Sequence, residues 1–147
     1  MTYRIQLGPY YAAIGFRLAV ILGADHVFLG QPVAKLDNDD KAHPHAALYP
    51  SPGWQQPLDV SGHVLDIPQT FQVTAAGGDV PRALRAVDRV REALTGYTPD
   101  VPGIECGPLS ELDSYDPGGL AVDVAVAPAR YYSPLLWRGL IWLPEGA

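Results

Sequence analysis

The sequence contains little of what several large classes of protein require. Cys106 is the one cysteine among 147 residues, so the chain cannot form an internal disulfide and lacks the paired cysteines of a structural zinc site. Basic residues are also few, since 10 Lys and Arg stand against 16 Asp and Glu, for a net charge of -6. This balance argues against a protein whose main task is to neutralise DNA phosphates. We therefore expect a fold that is held together by packing.

Long apolar runs are missing as well. The most apolar stretch covers residues 10–22 and is interrupted by Arg17, whereas a membrane span needs about 20 continuous apolar residues. The central arginine, with no small-residue cleavage site after it, also argues against a secretory signal. Gly8 and Pro9 suit the start of a helix, and Gly23 suits its end. We predict a helix that is apolar on nearly every side and is therefore buried on two faces.

Glycine and proline are abundant, with 15 of each. They are spread along the chain without the period of collagen, which predicts short elements and frequent turns. A short strand is predicted over residues 46–49, at a sheet edge because Pro44 and Pro50 flank it. Residues 31–42 and 51–62 follow neither a helical nor a strand period, and we predict that both are long loops.

Two segments in the middle of the chain have clear periods. Phe71, Val73 and Ala75 alternate with polar residues, as in a half-buried strand, and the strand is predicted to end at Gly77 and Gly78. From Asp79, a predicted N-cap, the spacing indicates an amphipathic helix that ends at Gly96. Its predicted core face consists of Val80, Leu84, Val87, Val90 and Leu94. Its outward face carries Arg82, Arg85, Asp88, Arg89 and Glu92.

The C-terminal third predicts further strands. Val122, Val124 and Val126 alternate with other residues, and residues 135–143 are almost continuously apolar. In the second strand, two sets of side chains would face opposite sides of the sheet: Leu136, Leu140 and Trp142 on one, and Leu135, Trp137, Ile141 and Leu143 on the other. A strand that is apolar on both sides is covered on both sides, so we expect another subunit to supply the second cover.

The order of these elements predicts the fold class. A helix, two or three strands, a second helix and two or three more strands indicate an α+β fold. We predict a single domain over residues 1–147, in which two helices pack on one face of a mostly antiparallel sheet.

A catalytic or metal site is disfavoured. His43, Pro44 and His45 could be combined with Asp37, Asp39, Asp40 and His63 into a metal site, but the proline stiffens this segment, and we interpret it as a polar turn. The acidic run at residues 37–40 lacks the ligand order of a calcium loop, and we interpret it as a solvated turn. Cys106 has no histidine nearby in sequence and is interpreted as a small packed residue. No serine has the context of a nucleophile elbow. We expect no enzymatic activity, cofactor or metal.

The glycine pair before the second helix also has two interpretations. Phosphate-binding loops lie between a strand and a helix, as Gly77 and Gly78 do. The pair lacks the spacing of those loops, however, and Asp79 would place a negative charge where the phosphate should bind. We interpret it as a capped turn.

Arg82, Arg85 and Arg89 form the basic cluster of this acidic chain. They are either a solvated helix face or a surface that meets carboxylates of a neighbouring subunit, since arginine favours bidentate carboxylate pairing at interfaces. With Trp137 and Trp142, these three residues are our predicted subunit interface.

Three stretches together resemble a known family. They are HPHAALYPSPGW at residues 43–54, TFQVTAAGGDVPRALRAVDRVREALTG at residues 70–96 and APARYYSPLLWRGLIW at residues 127–142. In this order they resemble the tail terminator proteins of long-tailed bacteriophages, in the form found in phages of actinobacteria.

The resemblance implies a structural virion protein of the tail and neck, assembled in the host cytoplasm without a membrane. It implies a hexameric ring on the head-proximal end of the tail tube, with the major tail tube protein and the head-to-tail connector or stopper protein as partners. Genomic DNA would pass through the lumen without specific binding, since an acidic lining repels phosphates. Two alternatives stay open: another neck ring protein, namely a connector or stopper, and a small metal-dependent enzyme or binding module.

Overall fold

The computed structural model describes residues 6–52, 66–113 and 115–142, which form two helices and seven strands. In chain order the elements are α1 (Leu7–Leu22), β1 (Val27–Leu29), β2 (His45–Tyr49), β3 (Asp66–Gly77), α2 (Val80–Leu94), β4 (Glu105–Cys106), β5 (Ser110–Glu111), β6 (Ala121–Asp123) and β7 (Arg130–Trp142). A 3₁₀ turn, Ala24–His26, lies between α1 and β1. The predicted α+β class with a mostly antiparallel sheet is confirmed.

The sheet is built around two long strands. β3 and β7 pair antiparallel from Asp66 opposite Trp142 to Gly77 opposite Tyr131. On the far side of β3, β2 pairs antiparallel and β1 then pairs parallel with β2. On the far side of β7, the short strands β4, β5 and β6 pair in turn along its length. β1 and the row of β4, β5 and β6 therefore form the two ends of the sheet.

Two strand predictions need correction. The strand β2 is not at an edge, because Pro44 and Pro50 lie just outside its ladder and leave its donors free to pair with both neighbours. The strand predicted over residues 122–126 is limited to β6, and residues 125–128 form bends. The chain must reverse here to enter β7, so Val124 is left 79% exposed. Leu143, predicted in the last strand, lies outside the described residues.

Both helices pack against one face of the sheet and against each other. The helix-facing side chains of β3 and β7 include Phe71, Val73, Leu135 and Trp137, and all four are buried. This confirms the predicted alternation in both strands. From α1 the core receives Tyr10, Tyr11, Ile14 and Leu18.

The core face of α2 differs in part from the prediction. Val87, Val90 and Leu94 are buried as expected, but Val80 and Leu84 are 42% and 49% exposed. Alanines take their place, and Ala83, Ala86 and Ala93 are fully buried or nearly so. Because alanine is short, these positions bring α2 close to the sheet and to α1.

The turn between β3 and α2 depends on two glycines. A Cβ atom on Gly77 would lie 2.6 Å from the backbone nitrogen of Ala83 in α2, and one on Gly78 would lie 2.5 Å from the backbone nitrogen of Ala42. Real Cβ atoms do not approach backbone atoms so closely. Asp79 then caps α2, as predicted, by accepting a hydrogen bond from the Arg82 amide at 2.9 Å.

We expect Gly78→Ala to lower the free energy of unfolding by about 1–3 kcal/mol, as overpacking does when backbone must move. Gly15→Ala is the matched control, because the added methyl has nothing within 4 Å and alanine favours the helix interior by about 0.5–1 kcal/mol. Urea unfolding followed by circular dichroism measures both. Equal stability of the two variants would contradict the close approach at Gly78.

Candidate assembly surfaces

A groove of about 590 Å³ separates α1 from the β1 end of the sheet. Small residues on one side of α1, namely Gly8, Ala12, Gly15 and Ala19, form one wall. The other wall includes Val27, Phe28 and Leu48. These residues are apolar, so the groove can bury apolar side chains but offers little chemistry for a reaction.

Large apolar side chains are exposed beside this groove. Phe16 and Val20 on α1 are 73% and 58% exposed, and Leu29 and Val33 at the β1 end are 74% and 79% exposed. Within the described residues, α1 is therefore buried on one face. The second cover, which the sequence predicts from a loop or another subunit, stays a prediction. Contiguous apolar surface of this kind is typical of a protein contact.

The opposite end of the sheet also exposes apolar residues. Val122 in β6 is 45% exposed, Val124 follows it, and Leu140 in β7 is 37% exposed. Leu140 lies on the sheet face that α1 and α2 leave open, together with Leu136 and Trp142, which are partly buried. The predicted two-sided pattern of β7 is thus confirmed.

Two of the five predicted interface residues have other surroundings than expected. Trp137 is 0% exposed, because its strand position faces the helices and places the ring in the core. It offers no surface to a subunit, and that prediction is wrong. Arg82 lies among acidic side chains of its own chain, and its side chain is 19% exposed.

Arg82 joins α2 to the preceding loop through three carboxylates. Its Nε donates to Asp37 at 2.6 Å, one terminal nitrogen donates to Asp79 at 2.5 Å, and the other donates to Asp39 at 3.0 Å. Lys41 adds a contact of 3.3 Å to Asp79. The acidic run that the sequence suggested as a solvated turn is therefore partly an anchor for this arginine.

The ionisation of this cluster follows from its hydrogen bonds. Desolvation acts to raise the pKa of Asp37, but bonds from the amides of Lys41 and Asp39 and from Arg82 outweigh it, and the pKa lies below its usual value. The amide of Arg82 is the main group that lowers the pKa of Asp79. The bond to Asp37 in turn raises the pKa of the Arg82 guanidinium.

Arg85, Arg89 and Trp142 keep exposed or partly exposed positions. Arg89 also donates to the carbonyl of Ile21 at 3.1 Å, which ties α2 to the end of α1. The sequence analysis did not identify the ion pair between Arg91 and Glu111. The guanidinium of Arg91 donates to both carboxylate oxygens of Glu111, at 2.5 and 3.2 Å. No local pattern signals this pair, because the chain separates its members by 20 residues.

His45 and Cys106, which the sequence analysis considered for metal binding or catalysis, have packing and hydrogen-bonding roles instead. In the part of the chain that the structure describes, no three His, Cys, Asp or Glu side chains are grouped so as to hold a metal. His45 is buried and its Nδ1 donates to the carbonyl of His43 at 2.7 Å. Cys106 is buried, as predicted, and burial raises the pKa of its thiol. His63 lies outside the described residues.

Nor does any helix among the described elements have the length and apolar character needed to cross a membrane.

Solved structures share this fold. A chain from the virion of a native gene transfer agent particle matches with a TM-score of 0.59 and 18% identity, over 89% of this chain and 92% of that chain. A second solved chain matches with a TM-score of 0.57 and 17% identity, over 97% of this chain and 100% of that chain. No family model and no curated protein matches the sequence. The likeness defines a shared α+β architecture.

The contacts of Arg82 with Asp37 and Asp79 lead to a prediction about how stability depends on pH. Because Asp37 and Asp79 have lowered pKa values in the folded chain, they stabilise it above the ordinary aspartate pKa of about 3.9, and this stabilisation is lost as the pH falls through their folded values. We expect Arg82→Gln to be less stable than the wild type at neutral pH and the difference to shrink toward about pH 2.5.

Urea midpoints across this pH range, with hydrogen exchange at residues 36–42, measure the effect. Arg138→Gln removes the same charge from the open face of the sheet and is the matched control. A stability difference between Arg82→Gln and the wild type that stays constant with pH would contradict the assigned role of the carboxylates.

Proposed function

We propose that this chain is a non-enzymatic virion protein of a long-tailed phage or phage-like particle. In this proposal it forms a hexameric ring at the head-proximal end of the tail tube, where it ends tube polymerisation and joins the tail to the head-to-tail connector or stopper protein. The observation that carries the proposal is the fold shared with 92% of a chain from a gene transfer agent virion. The sequence resemblance to tail terminators supports the finer assignment.

The two ends of the sheet support a ring. Exposed apolar residues lie at the β1 end and, in a different arrangement, at the β6 end. A head-to-tail contact joins two such unlike patches, and it closes into a ring when the rotation between subunits permits. Under this proposal Arg85, Arg89 and Trp142 contribute polar and aromatic contacts to the interface.

The excess of acidic over basic residues is consistent with a ring that surrounds DNA. With a net charge of -6, the chain as a whole repels phosphates, which would let DNA pass through a lumen without binding to it. The same charge limits non-specific association between copies, which leaves the apolar ends to select the contact.

The native mass of the purified protein is the first test of the proposed ring. A hexamer would have a mass of about 95 kDa, six times the chain mass of 15.8 kDa, and we expect this species by native mass spectrometry and light scattering as concentration rises. If the ring closes only on the tube, purified protein is monomeric and negative-stain images of tails assembled with it show the ring. Tails of the same length with and without the protein would contradict the terminator assignment, and a ring on the head side of the junction would identify a connector or stopper.

The β1 end provides a mutational test. We expect Phe16→Ser with Leu29→Ser to weaken assembly about tenfold or more, since buried apolar anchors dominate interface energies. The monomer should stay folded, because both side chains are more than 70% exposed. Val80→Ser is the matched control: it is 42% exposed and lies on a different side of α2 from Arg85 and Arg89. Sedimentation at several concentrations compares the three proteins, and equal assembly of all three would exclude this end from the interface.

A further inference from the structure

A second, polar pocket lies between α1, the 3₁₀ turn and α2. It has a volume of about 210 Å³, and its lining brings together four residues that carry or can carry positive charge: His26, His43, Arg85 and Arg89. Leu22 and Pro44 complete its walls. The volume suits one small charged group rather than an extended ligand.

Two contacts order the lining of the pocket, and one of its polar atoms has no partner. The rings of His26 and His43 lie 4.8 Å apart with an angle of 37° between their planes. The bond from Arg89 to the carbonyl of Ile21 holds one guanidinium in place. The Nδ1 atom of His26 is buried and has no hydrogen-bond partner among the described residues, so a polar atom here lacks the ligand that buried polar groups normally have.

No carboxylate is among the described residues that line the pocket. Asp25 acts on His26 but pairs with Lys35 at 3.1 Å. Asp88 and Glu92 are exposed on α2. Burial first, and then the neighbouring His43 and Lys35, lower the pKa of His26 against the opposing effect of Asp25. A lowered pKa favours the neutral form of His26, so the fixed positive charge of the pocket is that of Arg85 and Arg89.

We propose that this pocket binds a single oxyanion group, of the size of a carboxylate, phosphate or sulfate. Arg85 and Arg89 supply charge-assisted hydrogen bonds from α2, and the two histidine rings complete the donor set from the opposite side. The site stands whether or not the ring forms, because all four residues belong to one chain.

Nuclear magnetic resonance titration with sulfate and with acetate, at constant ionic strength, tests the site. Sulfate keeps its charge across the histidine range, so its affinity reports on the protein alone. We expect saturable shifts of the His26 and His43 ring signals and of amides 85–89. Sulfate binding should tighten as the pH falls through the lowered pKa of His26, because its protonation adds positive charge.

Variants separate a built site from general ionic attraction. Arg85→Gln with Arg89→Gln should weaken sulfate binding about tenfold or more, since each loses a charge-assisted bond. Arg85→Lys with Arg89→Lys keeps the charge and should fall between this variant and the wild type. Arg138→Gln should bind as the wild type does. Shifts that do not saturate, that spread over the whole chain, or that survive Arg85→Gln with Arg89→Gln would overturn the proposal.

The source of the oxyanion is distinguished by sedimentation. If a carboxylate of another copy occupies the pocket, sulfate displaces it and assembly weakens at constant ionic strength. If a free anion occupies the pocket, sulfate binds with the titration behaviour above and assembly is unchanged. Failure of the protein to form a ring either alone or on tails contradicts the ring, and the titration then tests the pocket by itself.

Discussion

The antiparallel ladder between β3 and β7 sets the register of the whole sheet. It pairs Asp66 through Gly77 with Trp142 through Tyr131, and every other described strand joins one of these two, β1 through β2. Because strand side chains alternate, a slip of one residue would turn Trp137 from the core to the open face and bring Leu136 or Arg138 beneath the helices. The ladder therefore decides which face is core and which is left for contacts.

The turn that follows β3 connects this ladder to the rest of the chain. Gly77 lets the first turn of α2 approach the strand, and Gly78 lets the loop before β2 approach from the other side. Asp79 caps α2 and, through Arg82, also holds the acidic loop residue Asp37. The position of α2 and the path of the loop are thus fixed by the same few residues, and the His26–Arg89 side of the pocket depends on that position.

The sequence was sufficient to predict those elements that show a local period of apolar residues. The alternation at Phe71, Val73 and Ala75 and the cap at Asp79 identified β3 and α2, because their signals lie within a few residues. Prediction failed where the partner is distant in sequence. The interior place of β2 depends on a parallel pairing with β1, and the burial of Trp137 depends on which face of β7 the helices cover. The groove beside α1 and the polar pocket are each lined by several segments of the chain, so no local motif indicates either of them.

The surplus of apolar residues in α1 is the feature that the chain's own core does not explain. One face of this helix packs on the sheet, yet Phe16 and Val20 remain exposed next to a groove lined by small residues. A solvated helix would carry polar residues there. The exposed apolar side of α1 is therefore best explained by a contact that completes its burial. The proposed head-to-tail ring would supply such a contact with the unlike end of a second sheet, while the net charge of -6 would disfavour contacts between copies that bury no apolar surface.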